Sequence, residues 1–281
     1  MYQYNQEIGK KVKLKSKVLI IAGSDSSGGA GIQADTKTVT ALGSYATTAI
    51  TAVTAQNTKG VKKVIPIPSK IVEKQLKMIL EDIGTQSVKI GMLHNSTIIK
   101  SVYKVLKKFK LRNVVLDPVM IAKSGTKLID GKSIYHLKKL LLPLCTLVTP
   151  NIPEAEVLTG CSISTKEDMI YAAKKILNMG SKNVLLKGGH LKKNMIFDIL
   201  ATKKELKIFS RKKIKSKNTH GTGCTLSSAL ATCLSQKKGI FQSCKLSLRY
   251  VNKAINFAPR YGKGFGPLNH LVSFNLKNIN D

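Results

Sequence analysis

The chain has 281 residues, and 43% of them are hydrophobic, which excludes a disordered chain and allows a sizeable core. Its 47 basic and 15 acidic residues give a net charge of +32, which raises the question of binding to nucleic acid or to an anionic membrane. Only four of the basic residues are arginine and no aromatic residues are interleaved with them, so the charge predicts a lysine-rich surface and no specific nucleic-acid partner.

Short apolar runs alternate with longer helical patterns along most of the chain. The first 16 residues are polar and lysine-rich, and we expect them to form a loose extension. Strands are predicted at 17–23, 45–55, 87–93, 113–119, 146–150 and 183–189, with a hairpin within 198–214. Helices are predicted at 31–42, 69–82, 96–109 and 133–142, from about 152 and 166, and twice more near the end.

This alternation predicts an α/β fold with a mostly parallel, doubly wound sheet flanked by helices. No Gly- or Pro-rich linker interrupts it, so residues 17–281 are predicted to form one domain. In such sheets ligands bind at the carboxyl ends of the strands, which makes the polar residues there the candidates for function.

The cysteines and the lengths of the apolar runs indicate the cellular compartment. The chain has five cysteines without a CxxC pair, an odd number that favours a reducing compartment, and we expect a cytoplasmic protein. The run Val18 to Ala22 is too short for a signal-peptide core, and no run approaches the ~18 residues of a membrane span. We therefore expect no membrane association.

The segment AGSDSSGGAGIQAD, residues 22–35, follows a predicted strand and opens a helix. Backbone N–H groups can approach a polar ligand closely there, although a tight turn that allows close helix packing is an alternative. Gly29 stands where a Walker motif requires lysine, and the acidic residue that a dinucleotide site needs ~20 residues later is missing. Asp35, one turn into the helix, can reach a bound amine or hydroxyl, or it can complement the helix dipole.

Polar residues also follow the other predicted strands. Gln56 suits a ligand that offers both donors and acceptors, or it caps the loop. Asp117 ends one strand, and Asn151 and Glu154 follow the next, which fits either an outer-shell Mg²⁺ site or a helix cap with a reciprocal acid. Lys187 ends a further strand, where its ammonium group can meet a phosphate.

The stretch KNTHGTGCT, residues 217–225, leads into a helix of small residues. Gly221, Thr222 and Gly223 at the helix start expose backbone N–H groups that predict an anion hole. Cys224 lies in the first turn, where a helix N-terminus lowers the pKa of a thiol, so a base is predicted. The alternative is a buried structural cysteine.

These motifs resemble the hydroxymethylpyrimidine/phosphomethylpyrimidine kinases of thiamine biosynthesis, which belong to the ribokinase-like group. The resemblance is carried by AGSDSSGGAGIQAD, ITAVTAQNTKGV, KIGML, VVLDPVMIAKSG, VTPNIPEAEVLTG, LLKGGH and KNTHGTGCTLSSALA, with GFGPLNH near the end. It extends from about Val18 to His270.

The resemblance implies a ribokinase-like fold, ATP and Mg²⁺ as co-reactants, usually a homodimer, and two successive phosphoryl transfers to 4-amino-5-hydroxymethyl-2-methylpyrimidine. By position in the motifs, Asp35 and Gln56 hold the pyrimidine, and three residues surround its ring: Ala30, Met92 and Val119. Met92, judged by its sequence context alone, is more typical of a core. The sequence departs from the family pattern at two positions. Thr54 stands where the family more often has an apolar residue, and Ser27 stands where it often has proline.

The resemblance also assigns the reacting end of the site. Residues 221–223 form the anion hole, and Cys224 takes the base position. The remaining polar residues serve the metal and the phosphates: Asp117, Asn151 and Glu154, with Lys187 for the nucleotide phosphates.

Three alternatives remain. A dinucleotide oxidoreductase is disfavoured because the acidic residue for the ribose is missing. A pyridoxal or pyridoxine kinase uses the same frame, since its substrate is also a ring with a hydroxymethyl arm. A nucleic-acid-binding protein rests on the net charge alone.

Overall fold

The computed structural model describes residues 14–121, 125, 128–189 and 195–273. The predicted N-terminal extension lies outside the described residues up to position 13. The strands are β1 (Lys17–Asp25), β2 (Tyr45–Asn57), β3 (Gly60–Pro66), β4 (Ser87–Ile90), β5 (Val114–Leu116), β6 (Leu147–Val148), β7 (Asn183–Leu186), β8 (Met195–Thr202) and β9 (Leu206–Lys212). The helices are α1 (Gly31–Ala41), α2 (Ser69–Asp82), α3 (Ser96–Lys108), α4 (Gly131–His136), α5 (Ile152–Thr159), α6 (Lys166–Asn178), α7 (Thr222–Ser235) and α8 (Ile240–Asn256).

The nine strands form one sheet in the order β3-β2-β1-β4-β5-β6-β7-β8-β9. The six strands from β2 to β7 in that order are parallel to their neighbours, and β3, β8 and β9 are antiparallel. The mostly parallel α/β fold predicted from the alternation of apolar runs is confirmed. The parallel strands all end at one edge, where loops and helix N-termini meet.

The charge-free run of β1 is buried on both faces of the sheet. Val18 and Ile20 belong to an apolar cluster that includes α7 and α8, whereas Leu19 and Ile21 belong to a second cluster that includes α2 and α3. This two-residue alternation follows from the strand geometry, in which successive side chains point to opposite faces. The sheet is therefore covered by a helical layer on each side.

Two local features differ from the prediction. β3 was not predicted: Gly60 pairs with Asn57 across a two-residue loop, so β2 turns back into an antiparallel edge strand whose lysines face solvent. The helix predicted at 133–142 divides into α4, a π-helical turn (Leu137–Leu141) and a 3₁₀ turn (Leu142–Leu144) that contains Pro143. No helix in the described part of the chain is long and apolar enough to cross a membrane.

Candidate active site

A cavity of about 650 Å³ opens at the carboxyl edge of the parallel strands. Its wall includes the ends of β1 and β2, the residues that follow β4, β5 and β7, and the N-termini of α1, α5 and α7. The predicted site residues found in this wall are Ala30, Gln56, Met92, Asp117, Val119, Asn151, Glu154, Lys187, Gly221, Thr222, Gly223 and Cys224. The fold therefore gathers residues that lie almost 200 positions apart in the sequence.

Two glycines shape the start of α7. Gly221 is the N-cap of the helix with φ of 78°, in the left-handed region, and a side chain there would collide with the carbonyl oxygen of Gly29. This contact brings the two glycine-rich segments together. A Cβ atom on Gly223 would lie 3.1 Å from Asp117 Oδ2 and 3.3 Å from Lys187 Nζ. The first turn of α7 is thus pressed against a charged pair, and its uncapped N–H groups lie in the cavity wall.

Cys224 lies in that first turn and is half-buried. Burial raises the pKa of its thiol to about 12, although the nearby Lys89 ammonium group acts in the opposite direction. The expectation that the helix N-terminus favours a thiolate is therefore wrong for this chain, because desolvation outweighs the lowering effects of Lys89 and of the Gly31 N–H. The thiol is neutral in the resting site.

Asp117 and Lys187 form the charged pair beside Gly223. Lys187 Nζ donates to Asp117 Oδ1 at 2.9 Å, and Thr149 Oγ1 donates to the same oxygen at 3.2 Å. Burial alone would lower the pKa of Lys187, but the carboxylates of Asp117 and Glu154 raise it. A half-buried ammonium group, whose protonated form these carboxylates stabilise, therefore faces the turn where anions are expected.

Asn151 and Glu154 form the capping box that their spacing allowed. Asn151 Oδ1 accepts from the Glu154 N–H at 2.9 Å, and Glu154 Oε2 accepts from the Asn151 N–H at 2.8 Å. Burial and the neighbouring Asp117 raise the pKa of Glu154 to about 7, although Lys187 acts to lower it. The helix-cap alternative is thus present, and the same carboxylate remains in the cavity wall.

Asp35 has a different position from the expected one. It is fully buried behind the cavity wall, where Oδ2 accepts from Lys89 Nζ at 2.6 Å and Oδ1 accepts from Ser228 Oγ at 2.7 Å. The amine and the hydroxyl that Asp35 reaches belong to the protein itself. Burial alone would lower the pKa of Lys89, but the carboxylate of Asp35 raises it, so the pair is ionic. Direct contact between Asp35 and a ring is therefore not supported by its position.

Two site residues were missed by the sequence analysis, Asp25 at the end of β1 and His220 before the α7 turn. Asp25 Oδ2 lies 2.8 Å from His220 Nε2, and it also accepts from the Ala30 N–H at 2.8 Å. Burial alone would raise the pKa of Asp25, but hydrogen bonds from His220 and Ser27 hold it at about 2. The available signal was the position of Asp25 at a strand end, in a chain with few carboxylates.

Comparison with known proteins gives a consistent result. The family model for phosphomethylpyrimidine kinase matches residues 25–269. A thiamine biosynthesis bifunctional protein of Geobacter sulfurreducens is 48% identical over 92% of this chain, which spans 53% of that protein. A hydroxymethylpyrimidine/phosphomethylpyrimidine kinase of Bacillus subtilis is 42% identical, with 91% of this chain and 95% of that protein covered.

Solved structures agree with the sequence relatives. The crystal structure of a phosphomethylpyrimidine kinase from Clostridium difficile is 45% identical with a TM-score of 0.77, and the match covers 85% of this chain and 99% of that one. The structure of a pyridoxal kinase from Staphylococcus aureus in complex with pyridoxal is 33% identical with a TM-score of 0.85. That match covers 92% of this chain and 95% of that one.

Proposed function

Because the chain belongs to the phosphomethylpyrimidine kinase family, we propose that it transfers phosphate from ATP to 4-amino-5-hydroxymethyl-2-methylpyrimidine and then to the resulting monophosphate. The observation that carries the proposal is the juxtaposition, in one cavity, of the Gly221–Cys224 turn, the Asp117–Lys187 pair and the amide of Gln56. An amide suits a ring with donors and acceptors, and the turn suits the transferred phosphoryl group.

The start of α7 and Lys187 would stabilise the transferred phosphoryl group. Phosphoryl transfer depends mainly on positioning and on stabilising negative charge, and uncapped N–H groups next to an ammonium group supply both. Lys187 is held by Asp117, so its charge is fixed beside Gly223 before the substrates bind. Little reorganisation is then needed during the reaction.

Asp117 and Glu154 are suitable for Mg²⁺. Mg²⁺ in nucleotide sites usually takes one or two carboxylates and completes its shell with water and phosphate oxygens. Among the described residues, no group of three or more acidic, histidine or cysteine side chains that could hold a metal is found. When bound, the ion would neutralise phosphate charge. Asn151 orients Glu154 through the capping box.

Cys224 is the proposed acceptor of the hydroxyl proton. With its pKa at about 12, the thiolate makes up about 10⁻⁵ of the resting enzyme at pH 7, and this fraction rises tenfold for each pH unit. Turnover should therefore rise steeply between pH 7 and pH 9 if the thiolate takes the proton. In Cys224→Ala we expect turnover to fall ~10²- to 10⁴-fold, with KM for the pyrimidine little changed and the steep pH dependence lost. Wild-type turnover in that variant would exclude the base assignment.

The reaction itself is tested by incubating the purified protein with ATP, Mg²⁺ and the pyrimidine, and by measuring the mono- and diphosphate by mass. A parallel reaction with pyridoxal tests the second candidate, because the chain is also similar to the S. aureus pyridoxal kinase structures. Comparing kcat/KM for the two substrates separates them. Formation of pyridoxal phosphate alone would keep the kinase chemistry and reassign the pocket.

A homodimer in the cytoplasm belongs to the same proposal. Val53 and Ile65 face each other across β2 and β3, and both are about half exposed, so association of this edge would cover apolar surface. All five cysteines are unpaired, which suits a reducing compartment.

A further inference from the structure

Gln56 meets two partners that restrict the direction of its amide group. The Nε2 atom lies 3.2 Å from His220 Nε2, and the Oε1 atom lies 3.2 Å from Thr54 Oγ1. The two ends of an amide have nearly the same shape and opposite hydrogen-bonding character, so the partners decide which end lies where.

The contact with His220 requires an acceptor on the Gln56 side. Asp25 is ionised and only accepts hydrogen bonds, so the His220 Nε2 atom 2.8 Å away must carry a proton, whether the ring is neutral or charged. A protonated Nε2 cannot accept from the Gln56 NH₂ group. The Gln56 oxygen, in contrast, can share that proton with Asp25.

The contact with Thr54 leads independently to the same orientation. The Thr54 hydroxyl has one proton. Its Oγ1 atom lies 3.0 Å from the carbonyl oxygen of Ser24, which can only accept a hydrogen bond. The hydroxyl therefore has no second proton for a Gln56 oxygen, but its own oxygen can accept from a Gln56 NH₂ group. The hydrogen bonds of His220 and Thr54 with Gln56 can both form only if the amide oxygen faces His220 and the amide nitrogen faces Thr54.

We propose that Asp25 and His220 are positioning residues that fix the Gln56 amide with its oxygen toward the α7 turn, and thereby select a ring with an amino group next to its hydroxymethyl arm. The selection rests on the proposed function. His220 directly precedes Gly221, so the amide oxygen lies on the side where the hydroxymethyl group must react. In the pyrimidine, the 4-amino donor is next to the hydroxymethyl arm, and the N3 acceptor is next to the amino group. The 4-amino group therefore matches the Gln56 oxygen, and N3 matches the Gln56 NH₂ group.

The 4-oxo analogue of the pyrimidine tests this orientation, because it presents an acceptor at position 4 and an N3–H donor, the reverse pattern. The wild-type enzyme should prefer the amino substrate by about 10²- to 10⁴-fold in kcat/KM. In His220→Phe only the Thr54 contact still orients the amide, so the preference should fall by at least about tenfold, mainly through KM. His136→Phe, a histidine substitution on α4 outside the cavity wall, should keep the wild-type preference. An unchanged preference in His220→Phe would overturn the proposal.

A double-mutant comparison separates positioning from a general structural effect. In a Gln56→Leu background, adding His220→Phe should change kcat/KM for the amino substrate less than twofold, because the amide that His220 positions is gone. A fall as large as in the wild-type background would show that His220 acts by another route and overturn the proposal. Thr54→Val, which removes the other partner, should lower the preference by a smaller factor than His220→Phe.

A measurement without turnover keeps the inference distinguishable from the proposed function. Long-range ¹H–¹⁵N NMR of the wild-type protein, with His220→Phe used to assign the ring, should show a protonated Nε2 at His220. An unprotonated Nε2 would overturn the proposal. If the enzyme phosphorylated neither pyrimidine, the proposed function would fail while this measurement would still decide the orientation.

Discussion

Glu154→Gln should stabilise the protein at alkaline pH in the absence of ligands. The pKa of Glu154 is raised from 4.5 to about 7, mainly because the carboxyl group is buried. The folded chain therefore keeps a proton that the unfolded chain has already released between these two values, and stability falls as the pH rises through this window. Each pKa unit corresponds to about 1.4 kcal/mol, so the accumulated loss is about 3 kcal/mol above pH 7.

Glutamine has no proton to lose in this range, and it can still accept from the Asn151 N–H, so the capping box is kept. We expect the free energy of unfolding of Glu154→Gln to match that of the wild-type protein at pH 4.5 and to exceed it by about 2 to 3 kcal/mol at pH 8. Urea denaturation at the two pH values, without ATP or Mg²⁺, measures this difference. The control is Glu167→Gln, whose side chain is 73% exposed and should change stability by less than about 0.5 kcal/mol at both.

Equal stabilities of Glu154→Gln and the wild-type protein at pH 8 would refute the reasoning, since the carboxylate would then carry no cost of burial. A less stable variant at pH 8 would refute it as well, because it would mean that the ionised carboxylate contributes more than its desolvation removes. In either case Glu154 would be a structural cap. Its ionised form would not destabilise the folded protein, and a bound cation would have no such destabilisation to remove.

Two further predictions concern the other buried charges. Lys89→Met leaves the Asp35 carboxylate buried without its cation and should lower the free energy of unfolding by about 3 to 5 kcal/mol, while Lys89→Met combined with Asp35→Leu should recover most of the loss in urea denaturation. Equal losses in the single and double variants would contradict the ion pair. Gly223→Ala places a methyl group against Asp117 and Lys187 at 3.1 and 3.3 Å, and we expect kcat to fall ~10- to 100-fold with a change in Tm of only a few degrees. Undiminished kcat would exclude a role for this close contact.

The residues at the ends of the strands were predictable because the sheet topology decides where they meet. Asp117 and Lys187 each end an apolar run, and parallel strands place all such ends at one edge. Gly221 and Cys224 were recognisable because glycines at a helix start leave N–H groups uncapped. These positions follow from local patterns and one topological rule, and they required no knowledge of side-chain packing.

The pairings inside the site could not be predicted in the same way. Lys89 and Asp35 are 54 residues apart, and His220 and Asp25 are 195 residues apart, so each contact depends on how helices pack on the sheet. The pKa of Cys224 illustrates the same limit. The helix start is visible in the sequence, whereas the desolvation that raises the pKa of the thiol arises from neighbours that only the tertiary structure supplies. A lysine in the middle of the apolar run of β4 was the one local signal of a buried ion pair.

The acidic residues also explain why the net charge did not indicate the function. Among the described residues, five acidic side chains are buried, each with a specific partner in the protein: Asp25, Asp35, Asp117, Glu154 and Asp198. Replacing any of these carboxylates except Glu154 is costly, because it leaves a lysine, arginine or histidine side chain unpaired. An exposed carboxylate has no such constraint, since surface charges contribute little to stability. A composition that drifts toward lysine can therefore change the surface while these four paired positions stay acidic, and the net charge then describes the surface and not the site.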